Sequence, residues 1–177
     1  NLQLSGVAIV QGAPRYVTTN AGSASVKGLE GEGVVNATAS GSFNYTLALL
    51  DAHYVSYTPD GVHSWAGNKL DRAPNTVFTL GYEHRFRVAG GQLKAGVAAR
   101  SSSSYTIGVP SQLLQYPIPS RTTADARLGF SPDGARWSVH ALVKNMGDKV
   151  APIAIDSFGM LVPSDPRTVD VRLDYRF

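Results

Sequence analysis

Apolar and polar residues alternate along most of this chain. At the C-terminus Val169, Val171, Leu173, Tyr175 and Phe177 fall on one side of an extended strand, and Asp170, Arg172, Asp174 and Arg176 on the other, because successive strand side chains point to opposite faces. The same period of two runs through residues 78–86, 93–99, 124–130 and 137–143. It continues in 43–49, where Leu50 and Asp51 are expected to spoil the register, and more weakly in 4–12 and 23–36. No window carries apolar residues at helical spacing between capping signals. The pattern predicts about eight strands, each near the ~9–11 residues that cross a bilayer when tilted. The connections alternate as well. Residues 37–42, 89–91 and 131–134 are short and rich in turn residues, whereas 11–21, 56–74, 106–120 and 147–166 are long. Short turns at one rim and long loops at the other predict an all-β, antiparallel up-and-down meander of the transmembrane-barrel type.

The aromatics and the charges bear on what covers each face. Phe43, Tyr45, Phe86, Phe130, Trp137, Tyr175 and Phe177 cluster near the short-turn rim, and Tyr54, Phe78 and Tyr105 near the long-loop rim. Aromatics at both edges of an apolar band are expected of a membrane barrel; a soluble sandwich would hold them mid-strand. Four charges at alternate positions of one strand cannot enter a dry core, since each imperfectly paired buried ion costs several kcal/mol. That face must meet water or a polar plug. An eight-stranded barrel is filled by its own side chains, while one of ~22 strands encloses a plugged lumen. Charges of both signs separated by Gly and Ala fit the wider case.

Composition narrows the classes. A length of 177 residues fits one domain, and only 16 % charge against 43 % hydrophobic residues excludes a disordered chain. No run reaches the ~18 apolar residues of a membrane helix. The absence of cysteine removes disulfides, zinc–thiolate sites and thiol nucleophiles. The net charge of +3 comes from scattered residues that alternate with acids, which offers no nucleic-acid surface. The start at Asn1 without a leader pattern is read as a processed or cut piece.

Four motifs carry a resemblance. Asn20-Ala21-Gly22 with Ser25-Val26-Lys27-Gly28-Leu29-Glu30-Gly31-Glu32, then Gly67-Asn68-Lys69-Leu70-Asp71-Arg72-Ala73-Pro74, then Val143-Lys144-Asn145-Met146-Gly147-Asp148-Lys149, then Pro166-Arg167 through Tyr175-Arg176-Phe177 occur in that order. Together they resemble TonB-dependent outer-membrane receptors, with Met146 standing where the family usually has Leu or Phe. The resemblance implies that residues 1–177 are the C-terminal part of a ~22-stranded barrel in a Gram-negative outer membrane. It implies a plug domain, earlier strands and a TonB-contact segment outside this chain. The partners would be outer-membrane lipid, TonB through that missing part, the barrel-assembly machinery, and a scarce small solute such as an iron–siderophore, with neither cofactor nor enzymatic activity.

The resemblance makes Val171, Leu173, Tyr175 and Phe177 the C-terminal assembly signal. Edge-strand addition supplies a physical basis for it. Glu30, Glu32, Glu83, Arg85, Asp125, Arg127, Asp170, Arg172, Asp174 and Arg176 are expected to face the lumen, as plug contacts or as plain wall hydration. Tyr57, His63, Trp65, Tyr105, Tyr116 and Arg121, with Tyr16, are the loop residues able to meet a solute or simply to pack the loops. Asp51, His53 and Ser101–Ser104 supply no hydrolase geometry, and the four histidines lack metal-ligand spacing. Two other readings stand beside this one. A complete eight-stranded barrel (structural, adhesive or lipid-modifying) would pair residues 4–12 with 168–177. A soluble β-sandwich carrier would bring the apolar faces together.

Overall fold

The computed structural model describes residues 3–20, 22–109, 113–134, 136–155 and 160–177. Ala21 of the first motif and parts of the connections 106–120 and 147–166 lie outside the described residues. The described chain is all β: β1 (Gln3–Val10), β2 (Ala13–Asn20), β3 (Ser23–Asn36), β4 (Gly41–Ser56), β5 (Thr76–Val88), β6 (Gly91–Ser102), β7 (Tyr105–Val109), β8 (Leu114–Ile118), β9 (Arg121–Pro132), β10 (Trp137–Lys144), β11 (Pro152–Ile155), β12 (Leu161–Pro163) and β13 (Thr168–Tyr175). Seven of these form one antiparallel sheet in the order β3-β4-β5-β6-β9-β10-β13, and β1-β2, β7-β8 and β11-β12 are separate two-stranded sheets. The large sheet is a meander: its neighbours in space are neighbours along the chain once the two intervening small sheets are set aside.

Alternation survives pairing because register locks it. Across the sheet Phe43 opposes Tyr82, Tyr82 opposes Val97, Val97 opposes Ala126, Ala126 opposes Val143 and Val143 opposes Val169. One row therefore carries apolar side chains on one face through six strands. A slip of one residue in any pair would throw that strand's apolar set onto the charged face. β4 shows no break at Leu50 and Asp51; it stays in register with β3 as far as Tyr54, beyond which a shift sets Ser56 opposite Ser23. What changes there is the chemistry. Leu29 opposite Leu49 gives way to Lys27 opposite Asp51 and Ser25 opposite His53, which marks the upper end of the apolar band on these two strands.

Three further expectations are corrected. Residues 11–21 are not a long loop. Gln11 and Gly12 form a two-residue turn with both φ angles positive (53° and 78°), and β2 follows at once, paired with β1. Such double left-handed turns match the twist of hairpin strands. The connections 106–120 and 147–166 carry the hairpins β7-β8 and β11-β12 rather than plain loop. Tyr54 lies on the opposite face of β4 from Phe43 and Tyr45, so it is no part of an apolar-face girdle.

Burial is concentrated at the loop rim. Among the described residues the buried hydrophobics are Ala52, Tyr54, Tyr57, Trp65, Ile107 and Ile118. Strand residues of the apolar face stay uncovered: Val169, Leu173 and Leu128 are 66 %, 69 % and 49 % exposed. A sandwich would have buried these side chains against each other, and that reading fails here. β1 pairs with β2, not β13, so the eight-stranded closure is absent too; β3 and β13 end the sheet.

Candidate functional site

Nine of the ten predicted charges sit on strands and share the face opposite the apolar band. Glu32 opposes Thr46, Glu30 opposes Ala48, Glu83 opposes Ser42 and Gly96, Arg85 opposes Lys94, and Asp125 opposes Ala98. Arg127 opposes Leu142, Leu142 opposes Asp170, His140 opposes Arg172 and Ser138 opposes Asp174. Arg176 follows β13, its N–H donating to the Arg136 carbonyl at 2.7 Å.

A hollow of about 590 Å³ lies on this face and draws its lining from six strands, including Glu32, Asn44, Gly81, Gly96, Asp125 and Arg127. Its floor is smooth because glycines let long side chains lie flat. A Cβ on Gly96 would meet Arg127 Nε at 2.8 Å. Arg127 crosses the middle strand there and donates from a guanidinium nitrogen to Glu83 Oε2 at 2.6 Å, two strands away; Lys94 reaches Glu83 Oε1 at 2.8 Å. A glycine inside a strand pattern often marks such a close approach, and this was the sequence signal for the crossing. Arg172 donates to Asp174 on its own strand at 2.6 and 2.8 Å. Glu30 and Glu32 make no such pair among the described residues.

The apolar face has its own order near the short-turn rim. Phe43 stacks against Tyr82 (ring centroids 4.7 Å), Phe130 against Trp137 (5.9 Å) and Tyr175 against Phe177 (5.1 Å). Tyr82 Oη lies 2.8 Å from His84 Nδ1, so the phenol turns its polar tip toward the rim while its ring stays among apolar neighbours.

At the long-loop rim the six candidate contact residues separate. Tyr57 and Trp65 are buried, their rings edge to face at 5.6 Å and both against Tyr54. They pack the loop over the upper end of β4, with Leu70 beside them. Backbone bonds hold the fold-back: Trp65 N–H to Tyr57 O at 2.8 Å, Gly67 N–H to Tyr54 O at 2.8 Å, Tyr54 N–H to Asn68 O at 2.9 Å and Leu70 N–H to Ala52 O at 3.0 Å. His63 is exposed and its Nδ1 lies 2.6 Å from Asp60 Oδ2, while Asp60 Oδ1 accepts the N–H groups of Val62 and His63. The His63 contacts, ring first, hold the Asp60 carboxyl far below its ordinary range. Tyr105 and Tyr116 are half-buried on β7 and β8, opposite Ile118 and Ile107. Arg121 is half-buried at the start of β9, opposite Ser102. The side chain of Tyr16 lies outside the described residues.

Asp71 and Asn145 stand in two of the four sequence motifs, which assign neither a role. Asp71 joins the loop to the β7-β8 hairpin: it bridges Thr106, and Arg72 N–H donates to Thr106 O at 2.8 Å. Burial raises its carboxyl pKa, with a hydrogen bond from the Gly108 backbone opposing; burial and the Asp71 charge raise the Tyr57 phenol in turn. A Cβ on Gly108 would fall 2.7 Å from both carboxylate oxygens. Asn68 Nδ2 donates to Gln115 Oε1 at 2.7 Å in the same seam. Asn145, the buried polar residue at the end of β10, gathers the last long connection. Among the described residues no three His, Asp or Glu side chains converge on a metal position. His53 pairs with Asp51 at 3.4 Å, and among the described residues no serine hydroxyl bonds it.

An open antiparallel wall with one apolar and one ionic face is the architecture of a membrane-barrel segment, and comparison with known proteins agrees. The family profile described as TonB dependent receptor-like, beta-barrel matches residues 1–146. The chain belongs to that family. The ferric yersiniabactin uptake receptor FyuA from Yersinia pestis is similar in fold, with a TM-score of 0.73 at 19 % identity over 91 % of this chain and 25 % of that one. BauA, the ferric preacinetobactin receptor from Acinetobacter baumannii, gives 0.73 at 19 % identity over 98 % and 26 %. The ferripyoverdine receptor of the outer membrane of Pseudomonas aeruginosa gives 0.64 at 15 % over 92 % and 20 %. The chain thus spans about a quarter of the length of the first two solved receptors. No curated protein matches it.

Proposed function

We propose that residues 1–177 form part of the barrel wall of an outer-membrane receptor that takes up a scarce solute, an iron–siderophore in the first instance, with energy passed through TonB. The observation that carries this reading is the division of the seven-stranded sheet. Its apolar set lies on one face without protein cover, and its ions lie on the other, where Glu32, Asp125 and Arg127 line a hollow. Outer-membrane lipid would cover the first face. Glu30, Glu32, Glu83, Arg85, Asp125, Arg127, Asp170, Arg172, Asp174 and Arg176 would face a wet lumen and its plug. The free edges of β3 and β13 would pair with the other strands of the receptor, since an unpaired edge is otherwise an aggregation site. Val171, Leu173 and Tyr175, exposed on the edge strand, and Phe177 just past its end would present the assembly signal. His63, Tyr105, Tyr116 and Arg121 remain the loop candidates for solute contact. Tyr57 and Trp65 would act through the shape of the loop they pack.

Siderophore receptors among the structural neighbours support iron as the first solute to try. Cells lacking the complete receptor should lose growth on one or more of a panel of ferric siderophores under iron limitation. Restoring the receptor should rescue growth in a TonB-containing strain and not in a TonB-less one. Rescue of sugar or cobalamin uptake alone would overturn the iron reading; TonB-independent rescue would overturn the energised one.

A further inference from the structure

The junction between β10 and the last long connection is bonded far more closely than a loop root requires. Asn145 has a left-handed backbone (φ 50°) and is 8 % exposed. Its N–H donates to Asp125 Oδ1 at 2.8 Å, on the neighbouring strand β9. Its side-chain Nδ2 donates to the carbonyls of Lys149 (3.1 Å) and Asp165 (3.2 Å), and its Oδ1 accepts the Lys149 N–H at 3.1 Å. One amide thus holds both ends of the segment between 149 and 165. Asp148, also left-handed (φ 49°), donates its N–H to Asn145 O at 2.8 Å and accepts the Arg167 N–H at 2.8 Å. Met146 N–H donates to Ala124 O at 2.7 Å. Non-glycine residues adopt this backbone region rarely, and asparagine is among the few that tolerate it.

Asp125 belongs to two places at once. One oxygen holds Asn145, while the residue lines the hollow on the charged face, directly opposite Ala98. We propose that Asp125 and Asn145 form a relay from this hollow to the connection between β10 and β13, so that a group pressed against Asp125 loosens the loop root. Asn145 and Asp125 are positioning residues in this scheme. The clamp stands on geometry alone; the idea that an occupant reaches Asp125 from water rests on the lumen reading above.

The test is hydrogen exchange at the Lys149 and Arg167 amides in the complete receptor. Asn145→Gly keeps the left-handed backbone and removes the clamp; Asp125→Asn keeps an acceptor for the Asn145 N–H, and Asp125→Ala removes it. We expect Asn145→Gly, which removes three side-chain hydrogen bonds, and Asp125→Ala, which removes one, each to speed exchange about tenfold or more, and Asp125→Asn, which retains that bond, to stay within about twofold. Ala98→Cys, then modified with a bulky methanethiosulfonate, should speed the same amides when Asp125 is present and add nothing in an Asp125→Ala background. Unchanged exchange in Asp125→Ala, or in the modified Ala98→Cys protein, overturns the relay. Failure of Ala98→Cys to react with a water-soluble reagent instead overturns the lumen reading and leaves the Asn145→Gly result as a separate test of the clamp.

Discussion

Tyr54, Tyr57 and Trp65 at the loop rim and Val169, Val171 and Leu173 on the last strand are equally greasy, and they are used in opposite ways. The first set is buried by its own chain, ring on ring, as in a water-soluble protein. The second has no protein over it. In water, contiguous exposed apolar patches of this kind are interaction or aggregation surfaces. The contrast teaches that the loops carry their own core, whereas the apolar face of the sheet gets no cover from this chain, which is what the proposed lipid contact would supply.

Ways to break this contrast differ in size. Trp65→Ala should cost about 3–5 kcal/mol of local stability, as large aromatic truncations in packed cores do, read as faster exchange in residues 57–75 with the strands unaffected. Leu128→Arg, on the uncovered face, should cost about 2–4 kcal/mol in liposomes, the penalty of an arginine near the bilayer midplane. Ala98→Arg, on the charged face one strand away, should cost far less when the two variants are unfolded with urea from the same liposomes. Gly96→Val should displace Arg127 from Glu83 at a cost of about 0.2–1 kcal/mol, the range of a solvent-exposed ion pair, and Arg127→Ala in that background should add little if the crossing is what glycine permits. Smallest is a pH effect. The Asp71 carboxyl is raised by burial, so its protonated form favours the folded seam. The seam between the 57–75 loop and β7-β8 should therefore tighten as pH falls from neutral toward the ordinary carboxylate range and loosen as pH rises through the raised value. Asp71→Asn should flatten that dependence in loop exchange measurements.

Much of the sheet was legible in the sequence because a period of two is a local signal. Each of the seven wall strands announced itself by its own alternation, and the short turns by Gly, Pro and Asp. The rest depended on partners. The Gln11–Gly12 turn lacks the usual Asn-Gly pair, and the small strands β7, β8, β11 and β12 are too short to show a period. Arg127 reaches Glu83 across 44 positions of sequence, and Asn145 meets Asp125 across 20; no window reading pairs them. Tyr57 and Trp65 were visible as loop aromatics, but whether they meet a solute or each other is decided only by the fold-back over Tyr54.

Adjacent residues give the sharpest test, because Leu128 and Arg127 differ by one position and point to opposite faces. Spin labels placed singly at these sites in the complete receptor, reconstituted in liposomes, should differ in what quenches them. The label at 128 should relax with membrane-dissolved oxygen, and the label at 127 with a water-soluble nickel chelate. Nickel access at 128 equal to that at 127, or oxygen dominating at 127, would contradict a wall with lipid on one face and water on the other.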